Sequence, residues 1–182
     1  EEVLETDSHV YFVMELLTGG NLGDHVAVQP FHNDVARAFF EQILLGVEFC
    51  HSKSIYHRDL KLENIMLDAD GRTVKVGDFG HAAISPGWDM HSTGLVGSLF
   101  HVSPEQIQGE CYSGEKIDIW ALGVLLYRML TGRPPFFTEN VHEMMRKICT
   151  ADFAVPPTMS PLAADLIHGI LRPNPDERLS LD

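Results

Sequence analysis

Residues 57–64 read HRDLKLEN, and the segment 65–76 that follows them leads to DFG at residues 78–80. Segment 65–76 holds two short β-rich runs, IML and VKV, on either side of the turn-forming run DADG. This pattern predicts a small antiparallel hairpin. Because Asn64 enters the first strand and Asp78 follows the second, the hairpin brings both side chains to the same end. Two oxygen ligands are therefore expected to lie close together there.

These motifs and several others occur in the order found in one enzyme family. Residues 57–64 resemble the catalytic loop of eukaryotic-type protein kinases, and residues 78–80 follow at the family's spacing. The further matches, in chain order, are Ser103-Pro104-Glu105 in place of Ala-Pro-Glu, DIWALG at 118–123, GRPPF at 132–136, and Arg178. An ordered set is far more specific than one motif. The chain therefore resembles the large C-terminal lobe of a serine/threonine protein kinase.

The resemblance implies a fold class and a division of the chain. We expect an α+β, mainly α-helical fold, namely a protein-kinase-like large lobe with a small β-hairpin at the catalytic cleft. The expected partial kinase domain covers residues 1–182, with a small-lobe remnant (1–14), a hinge (15–21) and a C-terminal lobe (22–182) that includes the activation segment (78–105). No Gly-rich phosphate loop and no Ala-x-Lys strand precede Glu1, so the N-terminal lobe is expected to be largely missing.

Four polar residues in these motifs suit phosphoryl transfer, which needs alignment and charge neutralisation more than covalent chemistry. Asp59 can accept or orient the proton of a substrate hydroxyl, and Lys61 can face the transferring phosphate. Asn64 and Asp78 offer the hard oxygen ligands that Mg²⁺ prefers. We therefore predict all four as catalytic residues, Asn64 and Asp78 as metal ligands, and ATP and Mg²⁺ as cofactors.

The segment 15–21 resembles the hinge that offers backbone hydrogen bonds to adenine in protein kinases, with Met14 in the gatekeeper position. This resemblance makes Glu15, Leu17 and Met66 candidates for binding the nucleotide, together with the two predicted metal ligands. Of these, Glu15 and Leu17 are the candidates for contacts with the edge of the nucleotide.

The resemblance gives structural or regulatory roles to a second set of residues: His57, Arg58, Phe79, Gly80, Ser98, Glu105, Asp118 and Arg178. By this resemblance, His57 and Phe79 pack between the catalytic loop and the core, and Asp118 anchors the backbone of the loop. The other acidic residue, Glu105, forms a buried ion pair with Arg178. Loss of one partner of such a pair is costly.

The catalytic loop and the activation segment carry the clues to substrate and regulation. By the resemblance, Lys61 indicates serine and threonine substrates, and Ser98 fills the position where a Thr or Ser reaches the catalytic aspartate. Arg58 is expected to be a structural cation that faces the activation segment, where an acid or a phosphate could pair with it. Ser92 and Thr93 are candidate phosphosites facing this arginine. We therefore expect protein substrates and an activating kinase as partners.

Other stretches indicate a subgroup of the family. GVEFCHS at 46–52 and the segment 160–178 are similar to the calcium/calmodulin-dependent and AMP-activated kinase group. Asn21 stands where arginine-directed relatives often carry Glu, which argues against arginine-directed substrates, although Glu63 and Asp24 could still supply acidity. The residues that depart from the family pattern around the activation segment are His81, Leu99 and His101.

Hydrophobic spacing predicts mainly helices, with a strand at 10–14. A long helix is expected from Asn33, a plausible N-cap, and the residues on its core face are Val35, Phe39, Ile43, Val47 and Cys50. An apolar helix around Trp120 is expected to end at Gly132, and two further helices to start after Asn140 and at Ser160-Pro161.

Composition argues against several other classes of protein. The 182 residues carry a formal charge of −13, so nucleic acid is not expected as a partner. The apolar run 117–130 contains Asp118 and Arg128 and is too short to cross a bilayer, so we expect a buried helix and no membrane contact. Three widely spaced cysteines fit a reducing compartment, which predicts the cytoplasm or the nucleus.

Two function classes fit these observations. The first is an enzyme, and the second is a pseudokinase or scaffold lobe that acts as a protein-binding module. The presence of Asp59, Lys61, Asn64 and Asp78 together favours the enzyme, because a lobe used only for docking has no physical need for all four.

The expected absence of the phosphate loop and its lysine leads to a first prediction. Purified residues 1–182 should transfer little or no phosphate from ATP to protein, because the groups that hold the nucleotide phosphates would be missing. Incorporation of labelled phosphate, compared with that of the full-length protein, measures this. Robust ATP-dependent phosphorylation by the segment alone would contradict the expectation.

Overall fold

A computed structural model describes residues 2–84 and 98–181 and is mainly helical, as predicted. Helices account for most of the regular structure because apolar residues recur at helical spacing along the chain. The helices, labelled α1 to α6 in chain order, are Leu22–Val28, Asn33–Ser52, Pro104–Gln108, Gly114–Thr131, Val141–Thr150 and Pro161–Ile170.

Short antiparallel strand pairs complete the described fold. The strands, labelled β1 to β6, are Glu2–Glu5, Val10–Val13, Ile55–Tyr56, Ile65–Leu67, Val74–Val76 and Ala83–Ile84. Strand β1 pairs with β2, β3 with β6, and β4 with β5. In the last pair Ile65 lies opposite Val76, so the predicted hairpin is confirmed. The mainly helical α+β fold class is confirmed as well.

Helix α4 forms the centre of the hydrophobic core. Every one of its residues from Ile117 to Tyr127 is buried, and Trp120 is fully buried. An apolar surface on all sides of a helix requires cover on all sides, which α2 and α6 supply in part. Gly132 ends the helix as predicted, with a positive φ of 79° that favours glycine. No helix in the described part of the chain is long and apolar enough to cross a membrane.

The long helix α2 forms as predicted, but its start and its core face differ in detail. Its N-cap is His32 instead of Asn33, because the Asn33 side chain accepts a hydrogen bond from the backbone N–H of Ser160, 3.2 Å away. The exposed Val35 does not belong to the core face, and Cys50 is only half buried. The buried positions are Ala36, Phe39, Phe40, Ile43 and Val47.

The two remaining helix starts are confirmed. The Asn140 side chain accepts hydrogen bonds from the backbone N–H groups of His142 and Glu143 at the start of α5. The Ser160 hydroxyl accepts one from the N–H of Ala163 at the start of α6. These contacts satisfy N–H groups that have no partner within the helix, so local sequence is sufficient to place both ends.

A buried ion pair connects α3 to the C-terminal segment. The Arg178 guanidinium donates to both carboxylate oxygens of Glu105, at 2.7 and 2.6 Å, and lies 4.9 Å from the Trp120 ring. Its other N–H groups donate to the carbonyls of Arg172, Lys116 and Pro173. All five guanidinium donors therefore have acceptors, which offsets the cost of burying the charge.

Removing one charge of this pair should destabilise the fold strongly. Glu105→Gln leaves Arg178 buried without its counter-charge, and we expect the free energy of unfolding in urea to fall by about 3–5 kcal/mol. The matched control is Glu41→Gln, which breaks an exposed pair with Arg37 on α2 and should cost about 1 kcal/mol or less. Equal losses in the two variants would contradict the argument.

Candidate active site

The catalytic loop, residues 57–64, is fixed to the core by one buried carboxylate. Asp118 on α4 is fully buried, and its two oxygens accept the backbone N–H groups of His57, at 2.8 Å, and Arg58, at 2.7 Å. Arg58 has a positive φ of 63°, which costs energy in a residue other than glycine. The two charge-assisted hydrogen bonds offset this cost. His51 on α2 donates a third hydrogen bond to the Asp118 carboxylate, over 2.9 Å.

Asp59 is buried and surrounded by hydrogen-bond donors. Lys61 Nζ lies 2.6 Å from Asp59 Oδ2, and the backbone N–H of Ser98 donates to Oδ1 over 3.0 Å. The Asn64 side-chain amide donates to the Asp59 carbonyl over 2.9 Å. These contacts orient the carboxylate and bring three of the four predicted catalytic residues together. Ser98, predicted to reach the aspartate, does so through its backbone amide.

The hairpin β4–β5 brings Asp78 to the same place as Asn64. The backbone N–H of Gly77 donates to the Asn64 carbonyl over 2.8 Å, so Asp78 follows directly beyond this bond. Asp78 has a positive φ of 56°, and its Oδ1 accepts the N–H of Gly80. Asp78 is exposed to solvent. The side-chain nitrogen of Asn64 donates to Asp59. The side-chain oxygen of Asn64 can therefore bind a cation.

Contacts on both sides of Asp78 hold its segment against the catalytic loop. His57 Nε2 lies 2.9 Å from the Gly77 carbonyl, and the His57 and Phe79 rings are 4.8 Å apart. Arg58 Nε donates to the His81 carbonyl over 2.7 Å. The packing predicted for His57 is present, whereas Phe79 keeps 43% of its surface exposed and covers the ring instead of entering the core.

The predicted nucleotide contacts lie along the hairpin and the segment that leads to it. Glu15 forms an ion pair with Lys75, and Lys75 lies opposite Met66 in the β4–β5 register. These contacts connect Glu15 to the strand pair that carries Met66. Leu17 is half buried and lies between Glu15 and the point where the chain meets β4. The candidate phosphosites Ser92 and Thr93 lie outside the described residues.

Sequence patterns did not indicate two histidines near Asp59. His81 Nδ1 lies 3.7 Å from Asp59 Oδ2, at a half-exposed position. His101 is buried, and neither of its ring nitrogens has a hydrogen-bond partner among the described residues. Burial, and then the positive charge of Arg128, lower the pKa of His101 to about 4. Both positions were visible in the sequence only as departures from a family pattern.

The sequence model of one protein family, the protein kinase domain, matches the chain over residues 1–182. The chain belongs to the protein kinase family. This match covers both halves of the site, namely the catalytic loop and the hairpin that ends at Asp78.

Named protein kinases are similar to this kinase chain along its whole length. It is 41% identical to CBL-interacting serine/threonine-protein kinase 5 of Arabidopsis thaliana over 185 residues, which are 100% of this chain and 41% of that protein. It is 40% identical to CBL-interacting protein kinase 26 of Oryza sativa subsp. japonica over 184 residues, 99% of this chain and 37% of that protein. The kinase chain spans about two fifths of the length of the curated relatives it matches.

Acid should destabilise the kinase chain through His101. Its pKa is about 4 in the folded protein and 6.5 for an ordinary histidine, so the unfolded chain binds more protons between these values. The contribution of neutral His101 to the free energy of unfolding is complete above pH 6.5. It falls by roughly 3 kcal/mol as the pH drops to 4. Urea unfolding of His101→Phe at a series of pH values measures this effect. The free energy of unfolding of the variant should no longer fall by this amount between pH 6.5 and 4.

The control for this pH series is His142→Phe, which alters an exposed histidine on α5. This variant should keep the wild-type dependence of unfolding free energy on pH. A His101→Phe protein with the wild-type slope between pH 6.5 and 4 would refute the assignment of the acid sensitivity to the buried ring.

Proposed function

We propose that the protein is a serine/threonine kinase that transfers the γ-phosphate of ATP to hydroxyl groups of other proteins. The observation that carries the proposal is the convergence of Asp59, Asn64 and Asp78, which come from the loop 57–64 and from the end of the hairpin that follows it. Asp59 and Asn64 are joined by a 2.9 Å hydrogen bond, and Gly77, bonded to Asn64, precedes Asp78. This arrangement supports a proton acceptor beside two oxygen ligands.

The two ligands fit Mg²⁺. The side-chain oxygen of Asn64 and the carboxylate of Asp78 are hard oxygen donors. Mg²⁺ uses few protein ligands, because phosphate oxygens and water complete its coordination shell. When bound, the ion neutralises charge on the phosphates of ATP. The hydrogen bonds to Gly80 and Asp59 fix the orientation of the two ligands.

The other groups act on the substrate hydroxyl and on the transferred phosphate. Asp59 accepts the hydroxyl proton while the substrate oxygen forms a bond to the γ-phosphorus and the bond from phosphorus to the ADP oxygen breaks. Lys61 lies 2.6 Å from Asp59 and is partly exposed, so its positive charge can face the transferred phosphoryl group. The Ser98 amide holds the second oxygen of Asp59 in place.

Serine and threonine are the acceptors that the observations favour. Lys61 stands at the position that resembles the serine/threonine subclass, and similar proteins carry that activity in their names. These relatives are also named for interacting with CBL. We extend only the acceptor class to this protein, since the remaining length of the relatives lies outside the match.

Variants of the site test the proposal in the full-length protein. Asp59→Asn should lower kcat by about 10²- to 10⁴-fold, because it removes the proton acceptor. Asp78→Asn should raise the Mg²⁺ concentration needed for half-maximal rate, because it removes a charged ligand. The readout is transfer of labelled phosphate to protein, followed by separation of phosphoserine, phosphothreonine and phosphotyrosine.

The matched control is Asp165→Asn, which removes an exposed carboxylate from α6 and should leave the rate unchanged. Wild-type transfer to tyrosine alone would refute the acceptor class. An Asp59→Asn protein as active as the wild type would refute the assigned base. A full-length wild type that transfers no phosphate would instead support the scaffold hypothesis.

A further inference from the structure

The catalytic loop carries an acidic side chain that the chemistry does not use. Glu63 lies between Leu62 and Asn64 in a short helical turn, and an exposed carboxylate there could bind a basic residue of a substrate. The structure gives it another partner. Arg128 Nη1, from the last turn of α4, lies 2.7 Å from Glu63 Oε1.

The Glu63 carboxylate is held from two sides. A Cβ atom on Gly23 of α1 would lie only 2.9 Å from Glu63 Oε1, so the carboxylate packs closely against the backbone of that helix. The Glu63 carboxylate is therefore immobilised, and its oxygen is directed at the Arg128 guanidinium.

Arg128 cannot easily release this partner. Its side chain keeps 18% of its surface exposed, against 43% for Glu63, so most of the arginine is removed from water. The neighbouring His101 is buried and its pKa is lowered to about 4, so it is neutral near pH 7 and carries no compensating charge. A substrate arginine that displaced Arg128 would leave a largely buried cation without its counter-charge, which is unfavourable.

The other acid near this surface is a weak alternative. Asp24 on α1 is exposed and accepts a hydrogen bond from the Asn21 side chain over 2.8 Å. An ion pair with an exposed carboxylate changes an affinity by less than about fivefold. Asp24 alone would therefore give only a slight preference for basic substrates.

We propose that Arg128 occupies, from within the molecule, the place where a substrate arginine would pair with Glu63. The kinase then accepts neutral residues at that substrate position and does not select for basic ones. Arg128 is thus a residue that determines specificity, and this inference rests on the proposed function. It accounts for an acidic side chain in the catalytic loop that the sequence alone suggests as a site for arginine.

The test compares full-length proteins on a set of serine peptides. One parent peptide has alanine at the positions flanking the serine, and each other peptide has arginine at one of them. The wild type should show ratios of kcat/KM for arginine over alanine within about threefold at each position. Arg128→Leu frees Glu63 and should raise the ratio about tenfold at one position, since hydrogen bonds between charged groups are strong.

The matched control is Arg37→Leu, which breaks another arginine–glutamate pair, with Glu41, on the exposed side of α2. It should show the wild-type ratios. The double variant Glu63→Gln with Arg128→Leu should lose the tenfold gain. Glu63→Gln alone should leave the wild-type ratios unchanged. If Arg128→Leu does not fold, Arg128→Gln replaces it, since this variant removes the positive charge but keeps a polar side chain beside Glu63, and it should raise the same ratio.

Two results would overturn the inference while leaving the kinase assignment intact. One is a wild type that prefers arginine tenfold or more and loses the preference in Glu63→Gln, and the other is a folded Arg128→Leu protein with no gain. If the wild type transfers no phosphate, the proposed function fails. Dissociation constants of the same peptides, measured by fluorescence anisotropy, then decide whether Arg128→Leu gains affinity for arginine.

Discussion

The active-site geometry depends on the two hydrogen bonds that one buried carboxylate accepts from a loop. Asp118 fixes two consecutive amides, those of His57 and Arg58, and so imposes a backbone conformation that the chain would not adopt unaided. Asp59 is the next residue in the chain, so its position is fixed by the same two hydrogen bonds. The helix that carries Asp118 is surrounded by core residues and is therefore rigid. The position of the Asp59 carboxylate thus depends on the hydrophobic packing around α4.

A second constraint joins Asn64 and Asp78, the proposed metal ligands, to this anchored loop. The hairpin sets Asn64 and Asp78 side by side, and contacts from His57 and Arg58 hold the segment that follows. The same two loop residues therefore serve both halves of the site, through their backbone toward α4 and through their side chains toward the hairpin. The proposed proton acceptor and the proposed metal ligands are consequently positioned as one unit and not as independent elements.

The features predicted correctly from residue patterns alone are those determined by neighbouring residues, whereas the remote contacts of Asp118 and of Glu105 with Arg178 were expected only from the family resemblance. A turn between two β-rich runs is sufficient for the hairpin, and Asn140 or Ser160 needs only the next residues to cap a helix. The misplaced cap at Asn33 depends on a partner more than a hundred residues away, and the pairing of Glu63 with Arg128 is likewise remote in sequence. Such contacts follow from tertiary packing, which local patterns do not encode.

Helix α4 carries Asp118 near its beginning and Arg128 near its end, ten residues apart and so about 15 Å along the axis. The helix therefore contacts the loop 57–64 at two separate points, at its backbone through Asp118 and at Glu63 through Arg128. In the proposed enzyme, a substitution at the far end would change which substrates are selected, while the near end would still fix the loop that carries Asp59. A single buried helix can therefore hold both a specificity residue and the anchor of the proton acceptor.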